Sequence, residues 1–213
     1  MQNTSLSPLA LVNELDQDIH SPFLEDSDEK KIEIIAHHFA IIMETLGLDL
    51  NDDSLRDTPR RVAKMYVNEI FSGLNPDNKP EISLFENTYR YQEMLVEKDI
   101  TLYSYCEHHF VPIIGKAHVA YIPNGKVIGL SKINRLVNYY SKRPQVQERL
   151  TTQIVEGLKE ALATEDVAVV IEATHLCVAS RGIQDTNSST RTCFYSGKFE
   201  EERTRSEFLA YLR

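Results

Sequence analysis

Apolar residues recur at helical spacing in several stretches of the chain and alternate with polar ones in others. Behind Ser27, with Asp28 and Glu29 as first-turn acids, Ile32, Ile35, Phe39, Ile42, Met43 and Leu46 share one face of a helix that stops at Gly47. Thr58-Pro59 reads as the cap and first residue of a second helix, with Val62, Met65, Tyr66 and Ile70 as its buried stripe and Gly73 as its end. Arg60, Arg61 and Lys64 ride its wet side. A loop holding Pro76 and Pro80 leads into Asp99–Cys106, which alternates as a strand, and Pro112 bars a regular continuation. Gly115–Ile122 and Lys126–Leu130 are strands on either side of the turn Pro123-Asn124-Gly125. Ser131 caps a helix through Tyr140, and Pro144 opens a longer one striped by Val146, Leu150, Ile154, Leu158 and Leu162, with Glu148 off the stripe. Val167–Cys177 is the next strand, Gln184–Ser189 a loop and Thr192–Phe199 a last strand. Thr204-x-x-Glu207 is a capping box for a short helix carrying Phe208 and Leu212. This order predicts an α+β domain, an antiparallel sheet covered on one face by helices.

Length and composition bound the picture. With 213 residues, 42% of them hydrophobic, the chain suffices for one substantial core with an appended helical arm. Residues 1–25 have weak periodicity and scattered acids and are expected to be a mobile or partner-dependent arm, with a helical region over 26–95 and the catalytic domain over 96–213. No apolar run approaches the ~20 residues of a membrane span, and no secretory signal opens the chain, so the expectation is a soluble, cytoplasmic protein with no membrane partner. Three cysteines make a poor disulfide framework and fit a reducing compartment. A net charge of -9 argues against nucleic-acid binding, which needs a basic face. The basic residues Lys132, Arg135, Lys142, Arg143, Arg149 and Arg181 nevertheless gather in one half of the chain and leave room for a local anion site; Lys142 and Arg143 read better as solvated helix surface.

The candidate chemistry sits in two segments. In Ser104-Tyr105-Cys106-Glu107-His108-His109-Phe110, a thiol and an imidazole three positions apart can turn to one cation, and Cys177 is available as a third ligand. On a strand His175 and Cys177 face the same side, an odd pair for a core and a suitable one for a polar site followed by Arg181-Gly182. Three protein ligands leave one corner of a tetrahedral zinc open, as catalysis needs, and His108 beside them is free to move protons. Ser131 at a helix start, with Lys132 and Arg135 one turn apart, reads as a phosphate grip. Two rivals compete. A structural zinc module needs a fourth ligand, and a zinc nucleobase deaminase needs a Cys-x-x-Cys that this sequence lacks.

Taken together, Cys106-Glu-His-His109, Gly129-Leu-Ser-Lys-Ile-Asn-Arg135, Arg143-Pro-Gln-Val-Gln-Glu-Arg-Leu150 and His175-Leu-Cys177 with Arg181-Gly182 resemble, in order and spacing, the zinc-dependent form of GTP cyclohydrolase I. The likeness covers about Asp57 to the carboxy terminus. It implies a tunnelling-fold subunit, a four-stranded antiparallel sheet backed by two helices, in a toroidal homodecamer with active sites at subunit interfaces. It further implies conversion of GTP and water to formate and 7,8-dihydroneopterin triphosphate, with one zinc per subunit held by Cys106, His109 and Cys177. The roles it implies are protonation of guanine N7 by His108, donation toward the ribose ring oxygen by His175, and help from Ser131 in the sugar rearrangement. Glu148 and Gln147 would read the guanine edge, and Arg61, Lys132, Arg135 and Arg181 would hold the triphosphate.

Overall fold

The computed structural model describes residues 25–213, so the expected arm over 1–25 lies almost wholly outside the described residues. Helix α1 (Asp28–Thr45) starts where read, with Ser27 accepting from the Lys30 amide. Its stripe is only partly used: Ile32 and Met43 are buried and Ile35 and Phe39 half-buried, while Ile42 and Leu46 are exposed. The next helix, α2 (Thr58–Met65), takes Asp57 rather than Thr58 as its cap residue, and Thr58 is its first helical residue. The helix widens into a π-helical turn, Tyr66–Ile70, before Gly73. Gly73 presses against the far end of helix α3 (Leu130–Ser141), donating its N–H to the Lys142 carbonyl at 2.9 Å.

The core of the fold is a five-stranded sheet in the order Pro144–Gln145 (β5), Leu95–Cys106 (β2), Pro112–Tyr121 (β3), Val167–His175 (β6) and Thr190–Tyr195 (β7). Its long strands β2, β3, β6 and β7 are antiparallel neighbours. Strand β3 begins at Pro112 itself; a proline is tolerated as the first strand residue, so it opens the strand instead of delaying it to Gly115. Strand β2 begins four residues before the expected Asp99, because a bulge between Glu97 and Ile100 breaks its alternation. Above the bulge Leu95 packs toward the helix-covered side; below it Ile100, Leu102, Ser104 and Cys106 do.

Three further assignments differ from the sequence reading. Lys126–Ile128 (β4) does not return along β3; it pairs with Leu84–Glu86 (β1), which sits in the stretch expected to be loop, as a separate two-stranded ribbon. Pro144 does not open a helix: Pro144–Gln145 (β5) lies parallel to the end of β2, and helix α4 (Gln147–Leu162) begins two residues later. The capping box fails because α6 (Glu202–Tyr211) is capped by Glu201, leaving Thr204 inside it.

Helix α3 lies over β2, and α4 over β6 and β7. They enclose the main core, in which Tyr121, Leu102, Ile133, Leu136, Leu150, Ile154 and Ile171 are essentially dry. On the opposite face a smaller cluster of Ala120, Ala168, Val170, Phe199 and Phe208 seats α6. Each fully buried Leu, Ile or Phe contributes about 1.5–3 kcal/mol, so this double burial makes β3 and β6 the rigid centre of the fold. Among the described residues no helix is long and apolar enough to cross a membrane.

Candidate functional site

The site forms at the end of the sheet where β2 and β6 run out. Cys106 is the last residue of β2 and is 5% exposed. The chain then turns sharply: the amides of His109 and Phe110 both donate to the Cys106 carbonyl, and Phe110 takes a left-handed φ of 55°. A bulky residue adopts that conformation only when its surroundings hold it there. Here Phe71 packs edge-on against Phe110 at 5.1 Å and against Tyr105 at 5.6 Å, tying the helical region to the turn.

The strand β6 ends at His175 rather than Cys177; a single helical turn, α5 (Leu176–Ala179), follows. Alternation therefore does not put His175 and Cys177 on one face. Cys177 reaches the site through the helical turn, whereas His175 points toward α4. The outcome for the metal set is unchanged: Cys106 Sγ, a ring nitrogen of His109 and Cys177 Sγ lie within 4.8 Å of one another. Around tetrahedral zinc, bond lengths of about 2.0–2.3 Å separate the ligands by roughly 3.5–3.8 Å. Cys106 Sγ and His109 Nδ1 stand 3.8 Å apart, so the triangle fits such an ion with small side-chain adjustments. The donor set agrees: burial, then the neighbouring Cys106, push the Cys177 thiol up, a penalty that a shared cation removes. Among the described residues no fourth Cys, His, Asp or Glu joins the group.

Around the triangle the predicted residues divide into two sets. His108 is exposed, its Nδ1 3.7 Å from Cys106 Sγ. Arg181 donates to His109 Nε2 at 2.9 Å. His175 Nε2 meets Gln147 Oε1 at 2.8 Å. Gln147 is 1% exposed, and its Nε2 faces the Ile171 and Thr190 carbonyls and Thr192 Oγ1 at 3.1–3.2 Å. Those acceptors fix which way the amide points, so Oε1 accepts and His175 Nε2 carries the hydrogen. Burial holds His175 below the ordinary imidazole range, with the exposed Glu148 carboxylate pulling weakly the other way. Gln147 thus has no free donor edge to offer a ligand; its partner is His175.

The second set stands apart. Ser131 is the second residue of α3, whose cap position is Gly129, so it caps nothing; it is exposed, as is Arg135, and Lys132 is half-buried. Arg61 is exposed on α2 and donates to the Ser54 carbonyl and Thr58 Oγ1 at 2.9 Å. Among the described residues no hydrogen bond or ion pair joins Arg61 to the triangle; its guanidinium is turned to its own helix start.

Two arginines of the third motif are fixed by contacts that the sequence does not announce. Arg143, read as solvated, is 5% exposed, stacks on Tyr139 and Tyr140 at 4.8 and 5.1 Å and donates Nε to the Gly73 carbonyl. Arg149 and Glu107 form an ion pair beside the metal turn. The only signal was their place inside the two motifs, since neither spacing nor periodicity pairs Arg143 with Gly73 or Arg149 with Glu107.

The family model described as GTP cyclohydrolase I matches residues 35–213. A GTP cyclohydrolase 1 of Flavobacterium johnsoniae is 61% identical over 197 residues, covering 91% of this chain and 88% of that one. One of Aeromonas hydrophila is 57% identical over 186 residues, covering 87% and 85%. One of Erwinia tasmaniensis is 52% identical over 214 residues, covering 100% and 97%. With a family match over most of its length and a Cys-His-Cys triangle assembled at the end of the sheet, this chain belongs to the GTP cyclohydrolase I family.

Proposed function

We propose that the chain is a GTP cyclohydrolase I that converts GTP and water to formate and 7,8-dihydroneopterin triphosphate, the entry step to pterin and folate synthesis. The observation that carries the reading is the three-ligand triangle of Cys106, His109 and Cys177, with His108 and the His175–Gln147 pair near it, in a chain of this family. Cys106, His109 and Cys177 would hold a zinc ion, which when bound would supply the Lewis acidity that activates water.

The chain's own residues do the rest. His108, exposed beside the triangle, delivers a proton to N7 as the imidazole ring opens. His175 gives its Nε2 hydrogen to Gln147, so the donation toward the ribose ring oxygen expected of it requires a proton on Nδ1, and Gln147 serves the site by holding the ring. Glu148 accepts two N–H donors of guanine and repels the N1 acceptor of adenine. Arg181, next to His109, grips the triphosphate together with Arg61, Lys132 and Arg135, and Ser131 assists the sugar rearrangement. Arg61, Ser131, Lys132 and Arg135 lie on α2 and α3, apart from the Cys106–His109 turn and the Cys177 turn, and we read the sites as completed between copies. That reading fits tunnelling-fold subunits in a toroidal homodecamer, working in the cytoplasm, with residues 96–213 as the catalytic domain and 26–95 as a helical region packed against it.

The test is incubation of purified, zinc-assayed protein with GTP, following formate and the fluorescence of the oxidised pterin. Equal yields of both with about one zinc per chain bear the reading out. Formate without pterin places the fault at the sugar rearrangement around Ser131. Bound zinc with no release of either product refutes catalysis and leaves a GTP binder.

A further inference from the structure

The metal turn contains a charged residue that the reaction as read above does not use. Glu107 lies between Cys106 and His108, its side chain about one third exposed. Its backbone amide donates to the Gln145 carbonyl at 3.0 Å, continuing the parallel β2–β5 pairing past the strand end. One carboxylate oxygen, Oε2, is held by the Arg149 guanidinium. Arg149 is itself fixed: Nε donates to Gln145 Oε1 and an NH2 hydrogen to the Pro144 carbonyl, both at 3.0 Å. Gln145 is 1% exposed and donates to the Tyr140 carbonyl at 3.0 Å and Gln153 Oε1 at 2.7 Å. A hydrogen-bonded chain thus runs from the buried faces of α3 and α4 out to one carboxylate.

The other oxygen, Oε1, faces His108, 3.8 Å from its Nε2. That is longer than a hydrogen bond and within reach of a small ring rotation; catalytic contacts are often this loose before substrate binds. His108 is otherwise an exposed ring on a turn, with Cys106 Sγ 3.7 Å from its Nδ1. A free ring of this kind samples several rotamers, and a carboxylate anchored on one side removes most of them. We propose that Glu107, clamped by Arg149, is a positioning residue that holds the His108 imidazole by its Nε2 edge. The assignment rests on the reading of His108 as the proton-moving group. It deepens that reading by saying what orients the ring.

A purely structural role, Glu107 pairing Arg149 to close the turn, uses the same contacts, so the variant must separate the two. In Glu107→Gln the amide oxygen can stay on Arg149, which turns the NH2 toward His108 and offers a donor where an acceptor stood. The full-length zinc-loaded enzyme is assayed as wild type, Glu107→Gln, His108→Ala and the double variant, with zinc content, melting temperature, kcat and KM for GTP measured for each. The expected result is a kcat lowered about 10- to 100-fold in Glu107→Gln, with zinc content, melting temperature and KM unchanged. In the His108→Ala background the same change has no further effect on kcat. Multiplying losses in the double variant, or wild-type kcat in Glu107→Gln while His108→Ala is impaired, overturns the positioning role alone. Wild-type turnover in His108→Ala overturns the reading of His108 and this proposal with it.

Discussion

Replacing Gln147 by Ala tests whether the start of α4 is held to the sheet, and His175 held in place, by one side chain. The amide is 1% exposed. It has two hydrogens for the three acceptors around Nε2, and Oε1 takes one more hydrogen from His175, so about three hydrogen bonds are made at a time. At about 1 kcal/mol each their loss costs about 3 kcal/mol, and the buried methylene adds about 0.8 kcal/mol. For a domain of this size 1 kcal/mol moves the midpoint by about 2–4 °C, so Gln147→Ala is expected to melt roughly 10 °C below wild type. Gln147→Leu, which restores volume without polarity, recovers only the packing part. Melting is followed by circular dichroism at equal chain concentration, because association shifts the midpoint. Turnover with GTP is measured well below both transitions and should fall in both variants, since neither presents an acceptor to His175. A Gln147→Ala protein melting within about 2 °C of wild type would refute the energetic account, and unchanged kcat would refute the role given to the His175 contact.

Four other outcomes are expected. Gly73→Ala puts a methyl 2.1 Å from the Tyr139 carbonyl oxygen and 2.8 Å from that of Lys142, backbone atoms that cannot step aside, and should cost about 1–3 kcal/mol in a urea titration. His118, 4% exposed, accepts the Asp99 amide on Nδ1 at 3.1 Å, and burial lowers its pKa against the opposing pull of Asp99. Its contribution to stability is therefore full above the unfolded value of about 6.5 and fades as pH falls from there toward the lower folded value. His118→Asn should flatten the fall in melting temperature between pH 7 and 5, and an unaltered slope would acquit His118. Cys177→Ser should lose zinc, measured by metal analysis after dialysis, together with turnover, while leaving the sheet's circular dichroism intact. Glu148→Ala should erode the preference for GTP over ATP in competition binding, with melting unchanged because the side chain is exposed.

What could be read from the sequence follows from how far apart the cooperating residues stand. The α1 cap, the α4 stripe and the β6 run were legible because helical and strand periods act over neighbouring residues. The metal triangle was legible as chemistry, since thiols and imidazoles at ligand spacing have few other uses, although the geometric argument for Cys177 through strand alternation was wrong. Misreadings cluster where tertiary contacts choose the local structure. Pro144 carries a helix-start signal, yet the open edge of β2 takes it as a strand partner and Val146 ends up as the helix cap. Lys126–Ile128 carries a hairpin signal, but it pairs with Leu84–Glu86, and Tyr121 accepts the Ile128 amide on its hydroxyl from within the core. Arg143 looked like surface charge and Arg149 like part of an anion site; what fixes them is the Gly73 carbonyl for the one and Glu107 for the other, dozens of residues away, and no local pattern announces those partners.

The bulge at Lys98 and Asp99 has a further consequence. Three residue steps on β2 span two on β3 there, from the pair Glu97–Val119 to the pair Ile100–Ala117. The strand thereby changes phase: odd positions face the main core before it and even positions after it, which is why Leu95 and Cys106 can both lie on that side. Seven residues, roughly 23 Å of extended chain, separate Asp99 from the thiol. If Asp99 were deleted, two steps on β2 would match the two on β3, the bulge would close and Ile100, Leu102 and Cys106 would keep their side; deleting one residue between Ile100 and Cys106 instead, with the pairing above kept, would turn the thiol to the other face. The aim of the thiol is thus set by the parity of the stretch below the bulge, while the bulge itself is a place where the strand can lose a residue without changing sides.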